Sequence, residues 1–176
     1  MPTFTQIGSA VTVGSGGAAS IDFTSIPQTY TDLVLVVSTR SNNGANSGIY
    51  DNNQISVNGN TTGSNYSNIR VYGNGSGTGS DSNASAFYTG ASTGNAVTAS
   101  TFASSQYYFP NYTSTTTYKS MSSDSVTENN ATSVFTPLSA WLYKNNSAIT
   151  SISLTLFSGG SFVQYSTAYL YGVSNA

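Results

Sequence analysis

The chain has 176 residues, with four basic and six acidic side chains and neither Cys nor His. The missing Cys excludes disulfides, thiolate metal sites and Cys nucleophiles, and the missing His excludes the commonest general base, the commonest transition-metal ligand and a Ser–His–Asp arrangement. The basic residues, Arg40, Arg70, Lys119 and Lys144, are too few and too scattered to neutralise a run of phosphates, so neither nucleic acid nor an anionic membrane surface is an expected partner.

Charged residues make up 6% of the chain, against about 25% in an ordinary globular domain. Aromatics reach 12%, with 13 Tyr, and polarity comes almost wholly from Ser, Thr, Asn and Gly. A disordered chain is charged and poor in aromatics, so this composition points to a folded protein. The opening Met-Pro-Thr-Phe-Thr-Gln-Ile has no basic region followed by an apolar stretch, so no signal peptide is expected. No apolar run approaches the ~20 residues of a spanning helix, and a soluble protein is expected.

Residues 1–18 read as an N-terminal arm or weak first strand, and residues 19–176 as one β-sandwich domain. Residues 19–26 alternate through Ile21 and Phe23, and Ile26-Pro27-Gln28-Thr29-Tyr30 reads as a turn, because Pro fixes φ and cannot donate to a ladder. Residues 32–41 are the strongest strand, and their Leu/Val run predicts burial on both faces at its start. Residues 41–53 read as a loop, 54–57 as a short strand closed by the hairpin signal Asn58-Gly59, and 69–72 as another strand. The Gly/Ser-rich stretch 73–83 reads as the most flexible loop. Further strands are expected at 86–89, 101–108, 118–126, 134–143, 149–157 and 168–173. About ten strands at this spacing, almost without helical periodicity, predict an all-β, antiparallel, jelly-roll-like sandwich.

The chemistry-bearing motifs are weak. Gly73–Gly79 lacks the Lys-Ser/Thr ending of a phosphate loop and carries Thr78 where the dinucleotide pattern needs Gly. The acids Asp22, Asp32, Asp51, Asp81, Asp124 and Glu128 make no calcium-loop pattern and no local carboxylate pair among aromatics, so no cofactor, no metal and no enzymatic activity are expected. Asn-x-Ser/Thr triplets at Asn60, Asn65, Asn111 and Asn145 are what a chain this rich in Asn, Ser and Thr generates by chance. The sharpest local feature is the aromatic turn Tyr107-Tyr108-Phe109-Pro110-Asn111-Tyr112. Its candidate interface residues are Tyr107, Tyr108, Phe109 and Tyr112, as anchors for a partner or stacking platforms for a sugar; the competing reading sends alternate members into the core.

Several segments in consistent order carry a resemblance. They are residues 25–35 (Ser-Ile-Pro-Gln-Thr-Tyr-Thr-Asp-Leu-Val-Leu), 57–67 (Val-Asn-Gly-Asn-Thr-Thr-Gly-Ser-Asn-Tyr-Ser), 71–76, 111–113 with 118–120, 147–152, and the terminal Ala168-Tyr169-Leu170-Tyr171-Gly172-Val173. Together they resemble small virion structural proteins of tailed bacteriophages, common in aquatic and cyanobacterial phages. One departure lies at 142–146, where that family more often places Trp and Arg directly before Ser-Ala-Ile; here Trp141 sits earlier. The resemblance implies a β-sandwich that decorates a particle, and no catalysis. The expectation is a capsid decoration (cement) protein on the virion's capsid surface. Its expected partners are the major capsid protein and itself, as a homo-oligomer with three copies favoured. The runner-up is a tail or head fibre tip contacting host surface glycan.

Overall fold

The computed structural model describes residues 1–83, 88–130, 132 and 134–174. Thirteen strands form two antiparallel sheets: β1 (Thr3–Gln6), β2 (Val11–Thr12), β3 (Ser20–Phe23), β4 (Asp32–Thr39), β5 (Tyr50–Val57), β6 (Tyr66–Gly73), β7 (Thr78–Asn83), β8 (Tyr88–Thr93), β9 (Ala103–Phe109), β10 (Lys119–Glu128), β11 (Val134–Tyr143), β12 (Ile152–Leu156) and β13 (Thr167–Ser174). The large sheet runs β1-β13-β4-β9-β10-β11-β6-β7, with β2 also on β13, and the small sheet runs β3-β12-β5-β8. Among the described residues helix is confined to single 3₁₀ turns at Asn46–Gly48 and Gly63–Asn65, and no helix is long and apolar enough to cross a membrane.

Counting β3 to β9 and then β12 as eight successive strands, the small sheet has the order first, eighth, third, sixth. The large sheet has second, seventh, fourth, fifth, with β10 and β11 inserted between the seventh and the fourth. This interleaving is the jelly-roll order. The all-β, jelly-roll-like sandwich expected from the alternating runs is the observed fold, and β11 occupies the expected 134–143.

The core lies between the sheets. Leu33, Leu35 and Val37 of β4, Tyr107 and Phe109 of β9, Met121, Trp141, Tyr143 and Tyr66 meet Ile21, Phe23, Ile55, Val57, Ile152 and Leu154. Register partners share a face, so Leu33 and Gly172 both point inward. A Cβ on Gly172 would fall 2.2 Å from the ring of Tyr30, so only Gly lets this ring lie against β13. On the other face Val34 is buried too, because its register neighbours are Tyr108 and Tyr171. That accounts for the unbroken Leu/Val run of β4.

Two loop assignments change. The stretch read as loop 41–53 enters strand at Tyr50, although Tyr-Asp-Asn-Asn is poor β composition. Asn53 is held there by neutral hydrogen bonds across the sandwich, described below. The 73–83 stretch is only partly a loop. Asn74 Oδ1 accepts from the amides of Ser76 and Gly77, which makes a tight turn, and 78–83 return as edge strand β7 along β6. Backbone pairing suffices for an edge strand, so the Gly/Ser composition carried no side-chain signal. In the N-terminal segment, read as an arm or weak first strand, β1 and β2 form an interrupted edge along β13. The strand expected at 86–89 begins outside the described residues, and within them it continues as β8.

Candidate interface

Sheet alternation decides what the aromatic turn can do. Tyr107 and Phe109 point inward from β9 and are fully buried, and Tyr112 is fully buried as well. Phe109 meets Trp141 edge-on at 5.8 Å between centroids. The Tyr112 hydroxyl donates to the carbonyl of Pro27, and its own carbonyl accepts from Ile149 N–H at 2.9 Å, which pins the 26–30 turn to the turn after β9. Three of the four candidate interface residues, Tyr107, Phe109 and Tyr112, therefore belong to the core. Only Tyr108 reaches the surface, at 37% exposure, and its hydroxyl donates to Asp32 Oδ2 at 2.7 Å. Asp32 Oδ1 accepts from Asn111 N–H at 2.7 Å. The hydrogen bond to Asp32, ahead of burial, raises the Tyr108 pKa above the ordinary phenol value.

Beneath Tyr108 the two sheets are joined by a network of neutral hydrogen bonds. Asn53 Nδ2 donates to the Tyr107 hydroxyl at 2.9 Å, Ser92 Oγ donates its one proton to Asn53 Oδ1 at 2.6 Å and accepts from the Thr39 hydroxyl at 2.7 Å, and Ser125 Oγ accepts from Ala91 N–H at 3.0 Å. Burial pushes the Tyr107 phenol up to about 12, although Asn53, Ser105 and Thr89 oppose the shift. The network fixes the spacing of β8 over β9 and β10, and none of its members is positioned as a nucleophile with a base.

Three of the four cations are engaged within the fold, and Lys144 donates to the carbonyl of Ser64 at 3.2 Å at an exposed position. Arg40 donates through Nη1 to the carbonyls of Thr98 and Thr101 and to Thr101 Oγ1, and through Nη2 to the carbonyls of Asn95 and Val97. Lys119 is 1% exposed and donates to the carbonyls of Thr117 and Asn146. Arg70 pairs with Asp81 at 2.9 Å, reaches Asn52 Oδ1 at 2.9 Å, and lies within 5.5–5.7 Å of the rings of Tyr72, Tyr88 and Phe135. Among the described residues no three acids gather as a cation site. Asp51 is buried; its Oδ2 accepts from the Ser41 and Ser158 hydroxyls, and its Oδ1 is buried without a hydrogen-bond partner.

The surface departs from the usual pattern on the outer face of β6 and β11. An antiparallel sheet with one solvated face shows polar residues outward. On the outer face of β11 and β6 the opposite holds: Leu138 is 58%, Ile69 57% and Val71 54% exposed. Register places them together, as Val71 lies beside Leu138 and Ile69 beside Ala140, with Leu142 next along β11 beside Ser67. The flanks are small and polar. Ser80 and Ser82 of β7 border Val71 and Ile69, and Ser120, Ser122 and Asp124 of β10 border Leu142, Ala140 and Leu138. One cross-strand row reads Ser80, Val71, Leu138, Asp124, Gln106, Val36, Tyr169; the next reads Ser82, Ile69, Ala140, Ser122, Tyr108, Val34, Tyr171. Neither row holds a basic residue. Shallow depressions open between the β6 and β11 side chains. An apolar centre with a small polar rim, and charge absent from the centre, is the anatomy of a protein–protein interface.

This face is absent from the sequence-level candidates. The available signal was in Val134–Tyr143, which is apolar at both parities: Phe135, Trp141 and Tyr143 on one, Leu138, Ala140 and Leu142 on the other. Such a run predicts two covered faces, and the second sheet covers only one. Comparison with protein-family models, with curated proteins and with solved structures finds no match to this chain.

Proposed function

We propose that the protein is a non-enzymatic structural component of a tailed-phage virion, a capsid decoration protein that cements the shell. The observation that carries the reading is the apolar, cation-free outer face of β6 and β11, which gives a jelly roll a surface for packing against protein. Two further features support it. The ordered segments along residues 25–173 resemble phage virion proteins, and the polar interior is organised for rigidity rather than reaction. Cement needs contact area between neighbouring subunits and no turnover. Neutral Ser, Thr and Asn hydrogen bonds supply specificity at lower desolvation cost than ions. The partners under this reading are the major capsid protein and further copies of the chain, placed on the capsid surface; a trimer at a three-fold position of the shell would satisfy closed symmetry.

A second reading, a fibre tip that contacts host glycan, draws on a different group. Phe157 is half exposed and meets Tyr88 edge-on at 4.5 Å, and Tyr88 in turn lies against Arg70 with its Asp81 and Asn52 partners. A ring beside charged and amide groups is a surface on which a sugar stacks and hydrogen-bonds.

Particles lacking the protein distinguish the readings. Under the cement reading they assemble but burst at lower temperature, and added protein restores them because it binds only the assembled shell. Restoration is nearly independent of salt, since few charges are available to be screened. Particles of normal stability that fail to adsorb to host cells would overturn cement in favour of the fibre tip.

A further inference from the structure

We infer that the outer face of β6 and β11 is a self-contact, on which a second copy of this chain packs sheet to sheet about a two-fold axis. The inference rests on reading this face as an interface, and it names the occupant.

The argument is the order of the four strands. From one side to the other they run β10, β11, β6, β7. A two-fold axis lying in the interface, along the strands and between β11 and β6, lays β11 over the partner's β6 and β10 over the partner's β7. Apolar then meets apolar at the centre: Leu138 faces the partner's Val71 and Ala140 the partner's Ile69, while Leu142 faces the partner's Ser67 at the end of the stripe. The acid does not meet itself. Asp124 sits on β10, so it faces the Ser80 and Ser82 side of the partner's β7, where hydroxyls are ready donors. A lone carboxylate beside an apolar stripe is a liability against a generic apolar partner. Here the same sequence that places the carboxylate on one flank places hydroxyls on the other, and the two-fold brings them together. Isologous contacts of this kind are the commonest in homo-oligomers, and sheets stack face to face at about 10 Å.

The area fits a weak pair. Four strands about 4.8 Å apart, each showing about six residues at ~3.3 Å rise, give a planar footprint of about 380 Å² per copy. The two copies together cover roughly 760 Å² before side-chain relief is counted, which belongs to the small, transient class below ~1,200 Å². The dimer is therefore expected to dissociate on dilution and to be populated at high local concentration, as on a particle. Three-fold closure, where it occurs, uses another surface.

The test is solution mass as a function of concentration, with Leu138→Asp, the control Phe4→Asp, and a crosslink. Phe4 is exposed at the far edge of the same sheet, on β1. The wild type and Phe4→Asp should rise from one chain mass to two as concentration increases. Leu138→Asp should stay at one, with its melting temperature unchanged because the site is exposed. The natural chain has no Cys, so the double variant Ser80→Cys with Asp124→Cys reports geometry directly. A bis-maleimide that spans the ~10 Å between packed sheets, but neither the ~14 Å between these positions within one sheet nor the ~17 Å between like positions across the axis, should join two chains in the double variant. Each single variant should remain uncrosslinked. A single-chain mass at all concentrations overturns the inference, as does an oligomer insensitive to Leu138→Asp, or a dimer in which the double variant does not crosslink. Particle restoration separates the two readings. If Leu138→Asp abolishes the dimer yet still restores particles, the self-contact stands and cement stands. If the wild type is monomeric and Leu138→Asp fails to restore, cement stands and the shell, not a second copy, occupies this face.

Discussion

Replacing Tyr107 by Phe removes one oxygen from a fully buried site, and Gly90 provides a second handle on the same space. In the wild type the Tyr107 hydroxyl accepts from Asn53 Nδ2 at 2.9 Å. Tyr107→Phe leaves that amide donor without this partner, which costs about 1–3 kcal/mol. A Cβ on Gly90 would lie 2.6 Å from the same oxygen, 3.2 Å from Cζ and 3.4 Å from Ser125 Oγ. Because the ring is enclosed, Gly90→Ala must overpack, at about 1–3 kcal/mol, less about 0.4–1 kcal/mol gained from a less flexible unfolded chain. In the double variant the oxygen is gone and the new methyl occupies its place, so most of the overpacking cost disappears. The double variant should therefore be more stable than the sum of the singles by about 1–2 kcal/mol. Urea denaturation followed by the single Trp, Trp141, which is buried, reads this directly at constant m. Additivity within ~0.5 kcal/mol would refute the claim that Gly90 is small in order to admit the Tyr107 hydroxyl.

Alkaline stability follows from the buried phenols. Burial raises Tyr107 from 10.0 to about 12 and raises Tyr66 as well; the folded state holds these protons more tightly than the unfolded chain. The resulting stabilisation, about 3 kcal/mol for Tyr107 alone, should be complete below pH ~10 and should drain away as pH rises through ~12. Denaturation curves at stepped alkaline pH check this, and a flat profile across that window contradicts it. Arg40→Met keeps the apolar stem but strips the hydrogen bonds from the carbonyls of Asn95, Val97, Thr98 and Thr101. It should cost about 2–4 kcal/mol and speed amide exchange in residues 94–101; a loss below ~0.5 kcal/mol would show that water replaces the guanidinium without penalty.

The fold class was legible because alternation is a property of local sequence. Ile152–Leu156 and Val134–Tyr143 could be assigned from their own residues, and Pro27 marked its turn by fixed φ and a missing donor. The two edge pieces at the N-terminus and β7 were not legible in the same way. Strands held by backbone pairing at a sheet edge need no apolar side chain, and Thr78–Asn83 has none.

The candidate site divides along the same line. The sequence by itself determined that Tyr107 and Phe109 share one face of a strand and Tyr108 the other, and that Leu138, Ala140 and Leu142 share a face opposite Phe135, Trp141 and Tyr143. Period-two alternation fixes membership of a face. It says nothing about which face meets a second sheet, and the aromatic turn was read as an interface partly for that reason. Only the tertiary structure decided the matter. The small sheet lies over the Tyr107 and Trp141 side, so those aromatics became core, and the Leu138 and Ile69 side was left outward. The physical reason is that burial depends on what packs against a strand from distant parts of the chain: β3, β5, β8 and β12 are brought together only by the jelly-roll crossovers, and they cover one side of the large sheet alone.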